Sequence, residues 1–200
     1  MLSKHPPVSN PHRGYSYVGQ ENLSALTRAD RGEAPLQETK VYGTPPSTLF
    51  GHSHTSQESW DQGSADDVEN PNLWKATESL PGFRPFMEEF FELCHQTQAR
   101  LLKAVASGCG LPDTHFDDKV SDRIEEFRLA HYPPVRVKDI NLQSGQQTRT
   151  SEHTDFGTIT LLFQDSIGGL EVESHKERGV FHPITAPAPT MVINIGMVQS

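Results

Sequence analysis

Apolar and polar positions along this 200-residue chain change their pattern twice. Residues 1–84 show no sustained period. They are rich in Pro, Ser, Gly and Asn, as in Pro45-Pro46-Ser47 and Gly63-Ser64-Ala65-Asp66-Asp67, which predicts extended loops and short turns. From Pro85 to Ser107 the period becomes helical. Phe86, Phe90, Leu93, Thr97, Leu101 and Val105 recur every three or four residues as one apolar stripe. Pro85 suits the first turn, Glu88, Glu89 and Glu92 the positive end of the helix dipole, and Arg100 and Lys103 the negative end, with Gly108 as the stop. The aromatic residues of this stripe are expected to be core contacts against a sheet.

After a connector over 111–121 the pattern turns to short strands. Phe127 to Tyr132 alternates until Pro133-Pro134 ends it. A polar loop over 138–149 follows, then the apolar run from Thr158, a Gly168-Gly169 turn, and strands over 170–173, 180–184 and 191–195. His175-Lys176-Glu177 lies in a charged run ending at Gly179 and is expected to be an exposed hairpin turn. Strands at this spacing predict an α+β, mainly β fold: an incomplete double-stranded β-helix, or jelly roll, packed on one long helix. Residues 1–84 would be a loop-rich first region and 85–200 the helix with a partial jelly-roll core.

Composition narrows the function. Apolar residues make up 34% of the chain and mean hydropathy is −0.56, so a sizeable part should be loosely packed. The formal charge of −9 argues against nucleic acid or an anionic membrane surface as partner. The first residues lack the apolar core of a signal peptide, and no run approaches the ~20 apolar residues of a membrane span. The two cysteines, Cys94 and Cys109, match neither a zinc knuckle nor a disulfide framework, which suits a reducing, cytoplasmic setting.

Candidate chemistry gathers at His153-Thr154-Asp155. In an extended chain, residues two apart project from one face, so an imidazole and a carboxylate here can share a metal ion. They make up two thirds of the facial triad that holds non-haem iron(II) with positions left open. Composition alone yields roughly half of one His-x-Asp, and a second copy stands at His115-Phe116-Asp117. That copy lies in a turn-like stretch, whereas the pair at 153 runs straight into an apolar strand. His52-Ser53-His54 lies in a polar loop and is expected to be solvated.

The segments Arg13-Gly14-Tyr15 with Gly19-Gln20-Glu21, Arg128 to Pro134, His153 to Asp165, Gly168 to Val172, and Val192-Ile193-Asn194-Ile195-Gly196 come in a family order. In this the chain resembles the isopenicillin N synthase-like iron(II)/2-oxoglutarate-dependent oxygenases, especially their fungal members. The resemblance implies Fe(2+) and 2-oxoglutarate as cofactors, molecular oxygen as cosubstrate and a small organic molecule as substrate, with fungal secondary metabolism as the setting. It implies His153 and Asp155 as iron ligands, and Tyr132 as the phenol that hydrogen-bonds the cosubstrate carboxylate beside its keto group. Ala130 stands where an asparagine is common.

Family members also carry strands and helices before the Arg-Gly-Tyr segment. After Asn-Ile-Gly they carry an aspartate, a distal histidine and an Arg-x-Ser clamp. Here Met197-Val198-Gln199-Ser200 follows Gly196, so the expectation is a chain shortened at both ends, with its third iron ligand unidentified. His175 and His182 precede Asn-Ile-Gly and match no distal position; His182 is the one conceivable substitute. Three functions therefore compete: an oxidoreductase, an inactive shortened relative that is inert or associates with a full-length partner through an open sheet edge, and a jelly-roll module holding structural zinc or no metal.

Overall fold

The computed structural model describes residues 13–18, 57–134, 155, 157–187 and 189–196. Two compact units, Met1–His153 and Thr154–Ser200, divide the chain. The expected change of character at residue 84 falls inside the first unit.

In that unit β1 (Gly14–Ser16), β2 (Glu58–Gln62) and β3 (Phe127–His131) form one antiparallel sheet in the order β1-β2-β3. Two of these strands come from the region expected to hold only loops and short turns. The register sets Tyr15 opposite Trp60 and Trp60 opposite Leu129, with Asp61 between Gly14 and Arg128. The local sequence of β2, Glu58-Ser59-Trp60-Asp61-Gln62, hides the strand because its polar residues are buried: Ser59, Asp61 and Gln62 are as enclosed as Trp60. Burial is sustained by partners. Ser59 Oγ donates to Asp61 Oδ2 at 2.8 Å, Arg128 Nε donates to Asp61 Oδ1 at 2.5 Å, and Gln62 Nε2 donates to the Met87 carbonyl at 3.1 Å.

The alternate residues of this sheet meet helix α1 (Phe83–Gly108). Trp60, Ala76 and Met87 are the buried centre, ringed by Tyr15, Trp74, Phe83 and Phe127. Phe83 stands edge-on to Trp60 at 5.4 Å and Phe90 edge-on to Phe127 at 5.5 Å, so of the two aromatics in the expected stripe Phe90 packs against the sheet and Phe86 does not. The buried positions of α1 are Met87, Phe91, Leu102 and Ala106, one residue round from the expected stripe. Phe86 and Leu93 are exposed. The helix also begins two residues earlier than expected, because Gly82 at φ 79° turns the chain into Phe83 and lets that ring dock. Glu88, Glu89 and Glu92 accordingly lie beyond the first turn, which holds no acid, and the last turn holds no base.

Arg13 closes the unit over long sequence separations. It is 6% exposed, its Nε donates to the Asn70 carbonyl, and it pairs with Asp67 at 3.1 Å and Glu126 at 3.4 Å.

The second unit contains two antiparallel ladders. Strand β4 (Ile159–Leu162) pairs with β7 (Val192–Ile195), and β5 (Glu171–Glu173) with β6 (Phe181–Pro183). All four lie where the sequence pattern set strands. Gly168 and Gly169, at φ 78° and 102°, make the turn into β5. His175-Lys176-Glu177 is the exposed hairpin between β5 and β6, closed by the Ser174 N–H on the Val180 carbonyl at 2.7 Å. The described fold is thus mainly β with one long helix.

Candidate metal centre

Asp155 opens the second unit four residues before β4 and is half-buried. Its position follows from the β4–β7 register, in which Ile159 faces Ile195 and Thr160 faces Asn194. Beyond the last pair the Gly196 N–H donates to the Thr158 carbonyl at 3.2 Å, so β7 runs back alongside the segment carrying Asp155. The approach is close enough to demand glycine. A Cβ at position 196 would stand 1.9 Å from the Gly157 carbonyl oxygen and 2.7 Å from that of Asp155. With the backbones held this near, Asn194 Nδ2 donates to Asp155 Oδ2 at 2.7 Å.

His153 lies outside the described residues, as do His52 and His54. Among the described residues no three His, Cys, Asp or Glu side chains cluster as a metal site. The described donor does fit one ligand of a hard divalent ion: a carboxylate, accessible to solvent and oriented by an amide. Tyr132 follows β3 in the first unit, is 40% exposed and keeps other interactions. His182 lies on β6 opposite Val172, exposed.

The second His-x-Asp lies on turns and not on a strand, as its sequence leads one to expect. Asp117 begins a 3-10 turn (Asp117–Lys119) and His115 sits in the turn before it, its ring against Phe116 at 4.8 Å. Residues two apart on a helical turn diverge, unlike those on a strand.

Sequence reasoning assigned Asn194 a place in a motif but no task. Its contact with Asp155 spans 39 residues and exists only through the pairing of β4 with β7. The spacing of Asn194-Ile195-Gly196 was the available signal, since the glycine marks a close backbone approach two residues from the amide.

Residues 124–199 match the 2OG-Fe(II) oxygenase superfamily, a family that uses Fe(2+) and 2-oxoglutarate. Among the chain's relatives, the 2-oxoglutarate-Fe(II) type oxidoreductase ppzD of Metarhizium rileyi is 42% identical over 96% of this chain and 50% of its own length. The proline hydroxylase buaE of Petromyces alliaceus is 42% identical over 96% of this chain and 53% of its own length. In structure the chain is similar to a full-length Neurospora crassa protein whose crystal structure was solved in complex with alpha-KG, with a TM-score of 0.69 and 35% identity over 92% of this chain and 50% of that one. The chain spans about half the length of the relatives it matches.

Proposed function

We propose that this chain carries part of the catalytic core of an iron(II)- and 2-oxoglutarate-dependent oxidoreductase that acts on a small organic molecule in fungal secondary metabolism. The observation that supports this most is the Asp155 carboxylate, held by Asn194 at the mouth of β4, two residues after a histidine in sequence. In this reading His153 and Asp155 are two ligands of the metal. Iron(II), with 2-oxoglutarate and oxygen, supplies the oxidising chemistry when bound. Asp155 contributes a hard anionic donor, and Tyr132 offers its phenol O–H to the cosubstrate carboxylate. The β4–β7 and β5–β6 ladders belong to the double-stranded β-helix expected from the sequence. The fungal relatives named as 2-oxoglutarate oxidoreductases and as a proline hydroxylase support the reaction class and a small substrate.

Anaerobic titration with iron(II), read as bound metal, tests the assignment. Asp155→Ala should abolish binding, because one imidazole alone holds a hard divalent ion poorly. Joint replacement of His115 and Asp117 should leave binding as it is. Unchanged affinity in the Asp155→Ala protein would remove the assignment, and loss of metal in the folded double variant would transfer it to the other pair.

A second reading is favoured by the apolar side chains that the second unit exposes, Phe163, Ile193 and Ile195 among them. In it the chain associates with a relative through an open sheet edge. Light scattering of this chain mixed with a full-length relative that shows no complex at micromolar concentration would dismiss it.

A further inference from the structure

We infer that Asn194 is a positioning residue for the metal centre, holding the Asp155 carboxylate in its ligating orientation. The inference rests on the reading of Asp155 as a ligand and adds a residue to it.

Three observations converge. Asn194 Nδ2 lies 2.7 Å from Asp155 Oδ2, the distance of a charge-assisted hydrogen bond. Asn194 is itself fixed by the ladder, paired with Thr160 in β4. Gly196, two residues on, brings the β7 backbone against the carbonyls of Asp155 and Gly157 more closely than any other residue would allow. The amide is therefore delivered to the carboxylate by two backbone constraints and does not depend on a chance rotamer.

The terminal torsion of an aspartate is broad, so a donor fixed by the backbone narrows the orientations in which the carboxylate meets a metal. The Asn194 N–H selects one carboxylate plane. Partners of this kind beside a ligand typically contribute about 10- to 100-fold in metal affinity or activity. Asn194 is exposed, and its side-chain amide is given to the carboxylate.

The test compares Asn194→Leu, which keeps the bulk of the side chain and removes the donor, with Asn194→Gln, which restores a donor. Iron(II) is titrated anaerobically, the cobalt(II) absorption spectrum reports ligand geometry, and thermal unfolding is followed without metal. Asn194→Leu should bind iron about 10- to 100-fold more weakly, with a changed cobalt spectrum and an unfolding midpoint like that of the unaltered protein. Asn194→Gln should recover part of the affinity. If Asn194→Leu binds as the unaltered protein does while Asp155→Ala does not bind, the positioning role falls and the ligand assignment stands. If Asp155→Ala also binds normally, both fall. If both Asn194 variants lose affinity only in step with the metal-free unfolding midpoint, the residue serves the fold and the inference is overturned.

Discussion

Tyr15 shows how a single side chain can bind distant strands and also report its own surroundings. Its hydroxyl donates to Glu58 Oε2 at 2.5 Å, and Glu58 Oε1 lies 2.7 Å from His131 Nδ1, so one carboxylate joins β1, β2 and β3. Burial, reinforced by the hydrogen bond and negative charge of Glu58, pushes the Tyr15 phenol from 10.0 up to about 12. The Glu58 carboxyl is held down, chiefly by the Tyr15 hydrogen bond and then by His131. For a group whose folded pKa is raised, the linked stability is whole below the unfolded value and is lost as pH rises through the folded one. The Tyr15 contribution is thus intact to pH 10 and disappears between 10 and about 12. Tyr15→Phe should cost about 1 kcal/mol at neutral pH and delete the tyrosinate step at about pH 12 from an alkaline absorbance titration. A step near pH 12 that persists in the variant would contradict the assignment. Of the candidate site, Asp155 was named from the sequence because the two-residue repeat of a strand would set it beside His153. The contact of Asn194 with Asp155 was not legible, since nothing local links an amide to a carboxylate 39 residues away.

Elements were legible where hydrophobicity alone decides them, and obscure where polar burial does. The long helix and β3 to β7 follow apolar periodicity, and all were expected. Strand β2 failed that criterion because Ser59 and Asp61 alternate with Trp60 as buried polar residues, which a hydropathy pattern scores as loop. The buried face of α1 was displaced by one residue because Phe86-Met87 and Phe90-Phe91 offer two adjacent apolar stripes, and only the docking of Phe83 and Met87 on Trp60 selects between them. At β7 the decisive residue is Gly196. An added methyl would meet the Gly157 carbonyl oxygen at 1.9 Å, and backbone cannot swing aside as a side chain end can. Gly196→Ala should therefore destabilise the β4–β7 ladder by about 1 to 3 kcal/mol, the usual cost of overpacking. It should also weaken metal binding, because Asn194 moves with the strand. Hydrogen exchange at Ile193 and Ile195 measures the first effect; protection equal to that of the unaltered protein would refute it.

At the scale of the whole chain, the first unit is secured by ion pairs between residues far apart in sequence, in addition to its small apolar centre. Arg13 reaches Asp67 and Glu126, Arg123 reaches Glu92, and Arg128 reaches Asp61. These pairs differ in consequence because their burial differs. Asp67 and Glu126 are 23% and 39% exposed, so water can replace a lost arginine, whereas Asp61 is fully buried. Removing one partner of a buried pair leaves an uncompensated charge and typically costs about 3 to 5 kcal/mol, while replacing both with apolar residues of similar volume is often near neutral. Arg128→Met should accordingly destabilise the first unit by about 3 kcal/mol or more, and Asp61→Leu combined with Arg128→Met should recover much of that loss. Arg13→Met should cost less. Acid acts in the same direction on the exposed pairs. The Asp67 carboxyl is lowered first by the Asn70 N–H and then by Arg13, and Glu92 first by Gln96 and then by Arg123. A lowered folded pKa contributes stability above the unfolded value that is lost as pH falls through the folded one, so all these chains should unfold more readily below pH about 4. Urea unfolding followed by tryptophan fluorescence measures each case, since Trp60 and Trp74 lie together in this unit at 5.2 Å. An Arg128→Met protein as stable as the unaltered one, or a double variant weaker than the single, would show that the Asp61–Arg128 pair does not hold the sheet together.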